Sequence, residues 1–426
     1  MSSFHGRLPV CIVVFAFAVL PPCTTFATGD PRVPLTLAEA EDLALSAEAG
    51  TQALLARAGA MREHAVAAES LPDPSLRIGL ANYPVSGGGF STEGMSQARI
   101  GIRQTFPRGR AADGRASRAR AAALGSRAEA RAREVLVSVR KAWLDAYYSQ
   151  QAWRLVNESR PFFEDLASVT RSMYSVGRKS QHDVLRAELE LSRLDDRIID
   201  LGRARAQARA ALSRWIGAAA HRTIAGKLPV RGEPPALAGL HGGLESHPAL
   251  AAADAEVAAR RAAVKSAEAK RKPGWTLDVG YGYREGFLPG GSPRSDFVSL
   301  SVSVDLPFFG ENPRDRRFAA ALREERAAAE SRAELLARLA SELDAEYARW
   351  ADLSRRLTLY ETRILDQSRG RARAALLAYR SDAGDFADVM RGHIDDLNTR
   401  LDHVRLQVER AKSHAVLANL GGLEGR

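Results

Sequence analysis

Two glycine-containing stretches are the first candidates for ligand binding in this sequence. Gly280–Gly286 reads GYGYREG, which has the glycine content of a dinucleotide-binding turn. Such a turn must open a helix inside a βαβ unit, and the sequence predicts neither feature after Gly286. Gly177–Ser180 reads GRKS but lacks the upstream glycine of a phosphate-binding loop. Neither stretch therefore predicts a nucleotide site.

Histidine and aspartate occur close together at two places. His182 lies beside Asp183, and His393 shortly precedes Asp395 and Asp396. These are metal-ligand types, but isolated pairs on predicted helix faces are usually solvated. We predict no metal site, no cofactor and no catalytic residue.

Both cysteines, Cys11 and Cys23, lie in an N-terminal segment with the features of a signal peptide. A basic residue precedes the apolar run Leu8–Leu20, and a small-residue cleavage pattern ends at Ala27. We therefore predict that residues 1–27 are removed, which leaves the mature chain without a thiol for a disulfide, a metal or a nucleophile. Lipid attachment to Cys23 is the alternative, although the residues before it match lipid-attachment sites poorly.

The formal net charge of +10 comes from 61 basic and 51 acidic residues. Arginine alternates with acidic residues along predicted helix faces, as in Arg323–Arg326, which reads REER. Nucleic-acid-binding surfaces instead cluster basic residues and interleave them with aromatic ones. We therefore expect solvated helix surfaces and no nucleic-acid partner.

A strand that ends in a proline and is followed by a long helical pattern occurs twice. Gln97–Pro107 reads QARIGIRQTFP and Phe297–Pro307 reads FVSLSVSVDLP, so Pro107 and Pro307 mark two strand-to-helix turns. Apolar residues alternate with polar or small ones in both runs, which is the period of a strand with one apolar face. A second alternating run precedes each of them, and this predicts strand pairs over 75–106 and 275–306.

Most of the remaining chain has a helical pattern. Single helices are expected over Leu35–Ser70 and His247–Lys270, the first capped by Thr36. From Arg108 a helix is predicted almost to Pro161, and after a break another begins at about Gln181. Apolar residues that recur every seven positions indicate antiparallel coiled hairpins over 108–215 and 309–420. The chain thus reads as an internal duplication with a first repeat over 28–216, a linker over 217–246 and a second repeat over 247–426.

The predicted strands are long enough to cross an outer membrane. Four strands cannot close a barrel, and an open sheet edge is not tolerated in lipid. Eight strands from a dimer would enclose packed side chains, whereas twelve from a trimer leave a lumen. The predicted fold class is therefore mainly α with transmembrane β, in which the long helical hairpins project from the sheet and each chain contributes four strands to a barrel that is shared between subunits. Twelve strands from a trimer suit a conduit better than eight from a dimer.

Strand alternation assigns residues to the two faces of this barrel. If the apolar residues face lipid, the charged residues between them face the lumen. The lumen residues predicted in this way are Arg77, Arg99, Arg103, Asp278, Arg284 and Asp305. The lumen is therefore predicted to be net basic. Trp275 and Tyr283 lie on the apolar face at opposite ends of the third strand, where aromatic girdles occur.

The order of elements resembles the TolC-type outer membrane efflux family over essentially the whole mature chain. The motifs that carry the resemblance are Leu35–Ala40, Leu71–Pro74, Tyr174–Gly177 and Asp183–Leu185. The resemblance implies the internally duplicated outer-membrane factor fold. In this fold the long coiled helical hairpins of a homotrimer form a periplasmic α-barrel, and its strands form one twelve-stranded trimeric β-barrel in outer membrane lipid. It also implies that the trimer works as a passive conduit, with a periplasmic adaptor protein and an inner-membrane efflux pump of the RND type as partners. The motif Leu71–Pro74 and the short C-terminus look most like the branch that is paired with heavy-metal pumps.

The resemblance further implies an acidic narrowing at the periplasmic end of the helical tube. The matching residue of the second hairpin is Asp388, and the internal repeat gives Asp183 in the first. A further acidic position of some family members is Arg391 here and Arg186 in the first repeat, so the sequence departs from a double acidic ring. The alternative is that both aspartates cap the helix starts.

Other functions compete with heavy-metal efflux at this stage. A drug channel or a type I protein-export channel would have the same architecture. A periplasmic coiled-coil adaptor is the alternative from another class, but it would need one hairpin flanked by small β-domains. Here two predicted hairpins each follow a strand pair of membrane-crossing length, which favours the channel.

Overall fold

The computed structural model describes residues 33–87, 89–229, 232–306, 313–381 and 383–421. The predicted signal peptide with Cys23, and Pro307 at the second strand-to-helix turn, lie outside these residues. The helices and strands are α1 (Leu37–Ala47), α2 (Ala49–Glu69), β1 (Ser75–Ala81), β2 (Gln97–Phe106), α3 (Arg110–Ser175), α4 (Gln181–Ile216), α5 (Leu237–Leu244), α6 (Pro248–Ala269), β3 (Trp275–Tyr283), β4 (Phe297–Val304), α7 (Pro313–Leu359), α8 (Leu365–Arg380) and α9 (Phe386–Leu420). The predicted fold class is confirmed for the single chain, which consists mainly of long helices and contributes four strands.

The N-terminal helical region contains two helices where the sequence predicted one. Thr36 caps α1, and its hydroxyl accepts a hydrogen bond from the Glu39 amide at 3.2 Å. Glu48 then takes an extended conformation, with ψ 100°, and its carboxylate accepts from the Thr51 amide at the start of α2. The break is therefore a second N-cap, because a carboxylate can satisfy the free amides of a new first turn.

Helix α3 has 66 residues and continues through Pro161, where the sequence had predicted a break. At 1.5 Å per residue it extends about 100 Å. Proline in a helix interior removes one backbone hydrogen bond. Phe163 and Leu166, which follow Pro161 within two helical turns, are however buried in the core shared with α4 and α9. This packing keeps the helix continuous, and the chain reverses only after Ser175.

The first hairpin reverses through Gly177. Its φ of +73° lies in the left-handed region that favours glycine. The Arg178 amide donates to the Met173 carbonyl at 2.9 Å, which is the closing bond of a Schellman C-cap. Ser180 then caps α4, so the long helices α3 and α4 form the predicted antiparallel hairpin.

The second hairpin has a different first arm. Helices α7 and α8 are joined by a π-helical turn, Tyr360–Ile364, whose flanking residues keep α-helical backbone angles. The arm is therefore one rod from Pro313 to Arg380, and α9 returns alongside it. Buried Leu343, Trp350 and Leu357 recur every seven residues on α7, as the sequence predicted.

The linker between the halves is structured in its described part. Residues Gly217–His221 form a 3₁₀ helix, and α5 precedes the predicted helical restart at His247. Leu35 pairs with Ile224 in a short parallel bridge, with the Leu35 amide donating to the Thr223 carbonyl at 2.7 Å. The linker thereby lies against the start of the first half.

The four strands form one antiparallel sheet in the order β1-β2-β3-β4. Strand β2 pairs with β3 from Ala98↔Tyr283 to Phe106↔Trp275, so the sheet joins the two halves of the chain. Strands β1 and β4 form its two edges. Within the described residues, none of the helices combines the length and the hydropathy needed to span a bilayer.

Candidate functional site: the two-faced sheet and the hairpin tips

The register of the sheet separates its side chains into two faces, because directly paired residues of an antiparallel sheet point the same way. The apolar face is exposed on the single chain; Ile78 is 77% and Leu300 71% exposed. Its residues are Leu76, Ile78, Leu80, Ala98, Ile100, Ile102, Gln104, Phe106, Trp275, Leu277, Val279, Tyr281, Tyr283, Val298, Leu300, Val302 and Val304. A continuous exposed apolar surface of this kind marks a partner or a membrane.

The opposite face is polar and carries a three-residue ion cluster. Arg103 on β2 donates through Nε to Asp278 Oδ1 on β3 at 2.7 Å, and Arg77 Nη1 on β1 reaches the same oxygen at 3.3 Å. One carboxylate thus holds guanidinium groups from two other strands. Arg99, on the same face, donates through Nε to Gln97 Oε1 at 3.3 Å.

The two remaining predicted lumen residues lie just beyond the strand ends and at opposite ends of the sheet. Arg284 follows β3; its side chain donates to the Ser295 and Gly94 carbonyls at 2.7 and 3.1 Å and lies over the Phe297 ring. Asp305 follows β4 and accepts from Arg108 at 2.5 Å. The structure therefore brings Arg77, Arg103 and Asp278 together and places Arg284 and Asp305 in separate contacts.

Aromatic side chains lie at both ends of the apolar face. Trp275 stacks on Phe106 of the neighbouring strand, with ring centroids 3.8 Å apart and planes at 12°. Tyr283, at the other end of β3, is about half exposed. Sequence reasoning missed Phe106 as the stacking partner; its signal was an aromatic residue immediately before the proline that ends the strand.

The first hairpin tip uses Asp183 as a helix cap. Ser180 Oγ accepts from the Asp183 amide at 3.3 Å, and Asp183 Oδ2 accepts from the Ser180 amide at 3.2 Å and from its hydroxyl at 2.8 Å. These reciprocal bonds form a complete capping box. Its carboxylate is therefore committed to its own helix start. Arg186 lies one turn further along α4 and is half-buried.

The second hairpin tip uses its aspartate differently. The N-cap residue of α9, Asp385, makes no side-chain capping bond. Asp388 pairs with Arg391 one turn later at 3.2 Å, and the Asp388 side chain is 61% exposed. The two repeats therefore match in sequence but differ here, since the Asp183 carboxylate caps its own helix, whereas the Asp388 carboxylate makes no capping bond and pairs with Arg391.

The two tips also contact each other. Phe386 is fully buried, and the ring of Tyr379 packs on it. The Tyr379 hydroxyl donates to Met173 Sδ at 3.2 Å, and Lys179 lies 4.8 Å above the Tyr379 ring. Met173 and Lys179 belong to the first hairpin, so this contact fixes the two tips side by side.

His393 belongs to one of the two clusters of metal-ligand residue types in the sequence. His393 packs on Phe162, with ring centroids 4.0 Å apart, and burial lowers the pKa of its imidazole, while the Asp396 carboxylate offsets part of that shift. A lowered pKa favours the neutral ring at physiological pH. Across the part of the chain that the structure describes, no three His, Cys, Asp or Glu residues come together as metal ligands.

Comparisons with known proteins match this chain to outer membrane proteins. A family model described as "Outer membrane efflux protein" matches residues 240–423. Comparison with curated protein sequences gives no match. Among solved structures, the outer membrane protein VceC of Vibrio cholerae is 17% identical, with a TM-score of 0.74 over 91% of this chain and 96% of VceC.

Two further solved channels have the same fold. CusC, whose structures concern folding and transmembrane channel formation, is 14% identical, with a TM-score of 0.75 over 98% of both chains. MtrE of Neisseria gonorrhoeae, an outer membrane channel solved in its open state, is 17% identical, with a TM-score of 0.70 over 91% of this chain and 88% of MtrE. This chain therefore has the fold of solved outer membrane channels, and its residues 240–423 match the outer membrane efflux protein family.

Proposed function

We propose that this protein is the outer membrane channel of a tripartite efflux system and acts as a passive conduit. The observation that carries the proposal is the two-faced sheet, which has one exposed apolar face and one face with a cluster of charges. A lipid-facing surface and a water-facing surface on the same strands are what a transmembrane β-barrel needs. The long helices, of which α3 extends about 100 Å, form the periplasmic part.

The assembly follows from the edges of the sheet. Strands β1 and β4 each present an edge, and backbone groups at an edge cannot remain unpaired in hydrocarbon. We propose a homotrimer in which β4 of one copy pairs with β1 of the next, which gives a twelve-stranded barrel in outer membrane lipid. A periplasmic adaptor protein and an inner-membrane RND-type pump complete the pathway, and the pump supplies the energy.

Heavy-metal export is the narrower form of this proposal. The full-length overlap with CusC and the motif Leu71–Pro74 support it. Drug efflux is the second candidate, because a drug channel would have the same architecture and the overlap with CusC is not exclusive: VceC and MtrE overlap with the chain nearly as well. The adaptor alternative fits less well, since it gives no role to an exposed apolar sheet face.

Two adjacent residues of β4 allow a direct test of the channel. We expect Ser301→Cys, on the polar face, to react with a membrane-impermeant thiol reagent added to intact cells, because water fills the lumen. Val302→Cys, on the apolar face, is expected to stay unmodified because lipid covers it. The only native cysteines, Cys11 and Cys23, lie in the predicted leader, so a Cys-free background needs no further change.

A third variant controls for access to the cell surface. Val85→Cys lies in the loop between β1 and β2 and is fully exposed, so it should react in every preparation that displays the protein. Labelling is read by mass shift on a denaturing gel. Equal reactivity of Ser301→Cys and Val302→Cys would contradict the proposed faces, and loss of Val85→Cys labelling would contradict surface exposure of this loop.

We further propose that Asp388 narrows the periplasmic end of the tube, with Asp183, Arg186 and Arg391 beside it. The exposure of Asp388 supports this role, whereas the Asp183 carboxylate acts mainly as a cap. We expect Asp388→Ala to raise single-channel conductance in planar bilayers and to weaken block by divalent cations, because a ring of carboxylates attracts and retains such ions.

Asp402→Ala is the matched control for this measurement. Asp402 is an exposed acidic residue of the same helix, about 21 Å from Asp388 along the axis. It should leave conductance and block unchanged. If Asp388→Ala behaves like Asp402→Ala, the carboxylate does not contribute to the aperture.

A further inference from the structure

The charges on the polar face are concentrated in three neighbouring rows of the sheet. The central row pairs Arg77, Gly101, Gly280 and Ser299 across the four strands. One flanking row contains Arg103 with Asp278, and the other contains Arg99. Successive residues on one face of a strand are about 7 Å apart. The three arginines therefore form a band about 14 Å long in the strand direction.

This band is net positive. Three arginines and one aspartate leave a charge of +2 per chain, which three copies would raise to +6. The remaining strand residues of this face are uncharged: Ser75, Gly79, Ala81, Gln97, Gly101, Thr105, Thr276, Gly280, Gly282, Phe297, Ser299, Ser301 and Ser303. The carboxylate that could offset the field is itself shared between Arg77 and Arg103. Arg99 lies outside that cluster and donates a hydrogen bond to the neutral Gln97 side chain.

Glycines make up much of the rows that contain Arg77 and Arg99. Gly79, Gly101, Gly280 and Gly282 lie in the rows of Arg77 and Arg99. At Gly101 the strands also approach so closely that an added Cβ would lie 2.8 Å from the Val279 carbonyl oxygen. The β4 side of the same face carries the hydroxyls of Ser301 and Ser303, which can donate to anions, whereas the Ser299 hydroxyl donates to the Gly280 carbonyl at 3.3 Å.

We propose that this polar face is an anion-selective section of the pore, so that the exported solutes carry negative charge as they pass it. The chemistry fits small anions with oxygen atoms, such as carboxylates, phosphates and metal oxyanions. Guanidinium groups form strong charge-assisted hydrogen bonds to such groups, and rings of arginine select anions in pores. The inference rests on the proposed channel function and adds that the exported solutes are anions.

The role of Asp278 in this arrangement is to position two arginines. Its Oδ1 atom holds the Arg77 and Arg103 guanidiniums against the sheet, where both remain partly exposed. Held in this way, they line the wall and leave the passage clear. A purely structural role, in which the cluster only joins β1, β2 and β3, is the competing interpretation that the experiment must exclude.

Two thiol reagents of opposite charge test the inference at one site. Ser301→Cys lies in the row of Arg103 and Asp278. On intact cells, the rate of modification of this cysteine is to be measured with the anionic sulfonatoethyl and with the cationic trimethylammonioethyl methanethiosulfonate. Each rate is divided by the rate at which the same reagent reacts with 2-mercaptoethanol, which corrects for the intrinsic reactivity of the reagent. The normalised anion-to-cation ratio of rates is expected to be on the order of tenfold. Low-dielectric walls focus a surface potential of several kT, and a positive potential raises the local concentration of the anionic reagent.

Charge variants then show whether the arginines set this ratio. Arg99→Gln and Arg103→Gln should each lower it, and Asp278→Asn should raise it. Arg326→Gln, an exposed position on α7 with only a weak ion pair at 3.7 Å, is the matched control and should not change it. Because Arg99 does not contact Asp278, Arg99→Gln tests the field even if Arg103→Gln disturbs the cluster.

The possible failures can be told apart. A normalised ratio of one in the unaltered background, or a ratio that none of the three charge variants changes, would overturn the anion-selective face and leave the channel intact. If Ser301→Cys reacts with neither reagent while Val85→Cys reacts with both, the polar face does not line an open lumen, and the proposed channel fails with the inference.

Discussion

Leu300→Arg is expected to abolish accumulation of the protein in the outer membrane, whereas the adjacent Ser301→Arg is expected to be tolerated. Leu300 lies in the middle of β4 on the apolar face. An arginine facing lipid near the bilayer midplane costs about 2–4 kcal/mol, and in a trimer this cost occurs three times. Residue 301 faces the opposite side, so an arginine there enters a face that already carries three.

The measurement is the amount of heat-modifiable trimer in purified outer membranes, determined by immunoblot for each variant at equal expression. Total protein before fractionation shows whether a variant is made and then degraded. Equal loss of both variants would mean that β4 tolerates no large charged residue on either face. Equal accumulation of both would contradict lipid contact at Leu300.

Trp143→Ala is expected to lower the free energy of unfolding by about 3–5 kcal/mol, the cost of removing a large buried aromatic side chain. Trp143 is 1% exposed, stacks on Tyr147 and donates its indole N–H to the Leu35 carbonyl at 3.2 Å. Leu35 in turn pairs with Ile224 of the linker. The substitution therefore removes packing and also frees the segment that holds the linker in place.

Denaturant unfolding in detergent, at one protein concentration, measures this effect. Trp153→Ala is the matched control, since Trp153 lies on the same helix but is only partly buried, with Arg205 4.8 Å above its ring. That substitution should cost about 1 kcal/mol, the size of an exposed cation–π contact. If the two alanine variants unfold alike, the core around Trp143 does not carry the stability assigned to it.

Strand alternation and heptad spacing predicted most of the architecture because both are local patterns. The runs around Ile100 and Leu300 alternate strictly, and the structure has strands at both. The order of the strands is a different matter. Pairing between β2 and β3 joins residues such as Arg103 and Asp278, which are separated by an entire helical hairpin. No local pattern reveals such a contact.

Local patterns were insufficient where tertiary contacts decide between alternatives. Pro161 reads as a helix break, but burial of Phe163 and Leu166 keeps α3 intact. Asp183 and Asp388 occupy matching motifs, yet only Asp183 has a serine three residues before it to complete a capping box. That serine was visible in the sequence and is the signal that distinguishes the two tips.

The π-helical turn Tyr360–Ile364 shifts the seven-residue spacing of buried residues in the second hairpin by one position. Buried residues recur every seven positions up to Leu357, then resume at Ala372 and Tyr379, which is one residue later than the same spacing requires. The seven-residue spacing places Ile364 on this line as well, whereas in the structure Ile364 is only half-buried within the turn. A π turn takes up one residue more than an α turn. The π turn therefore accommodates one extra residue, and the buried residues on both sides of it still face α9.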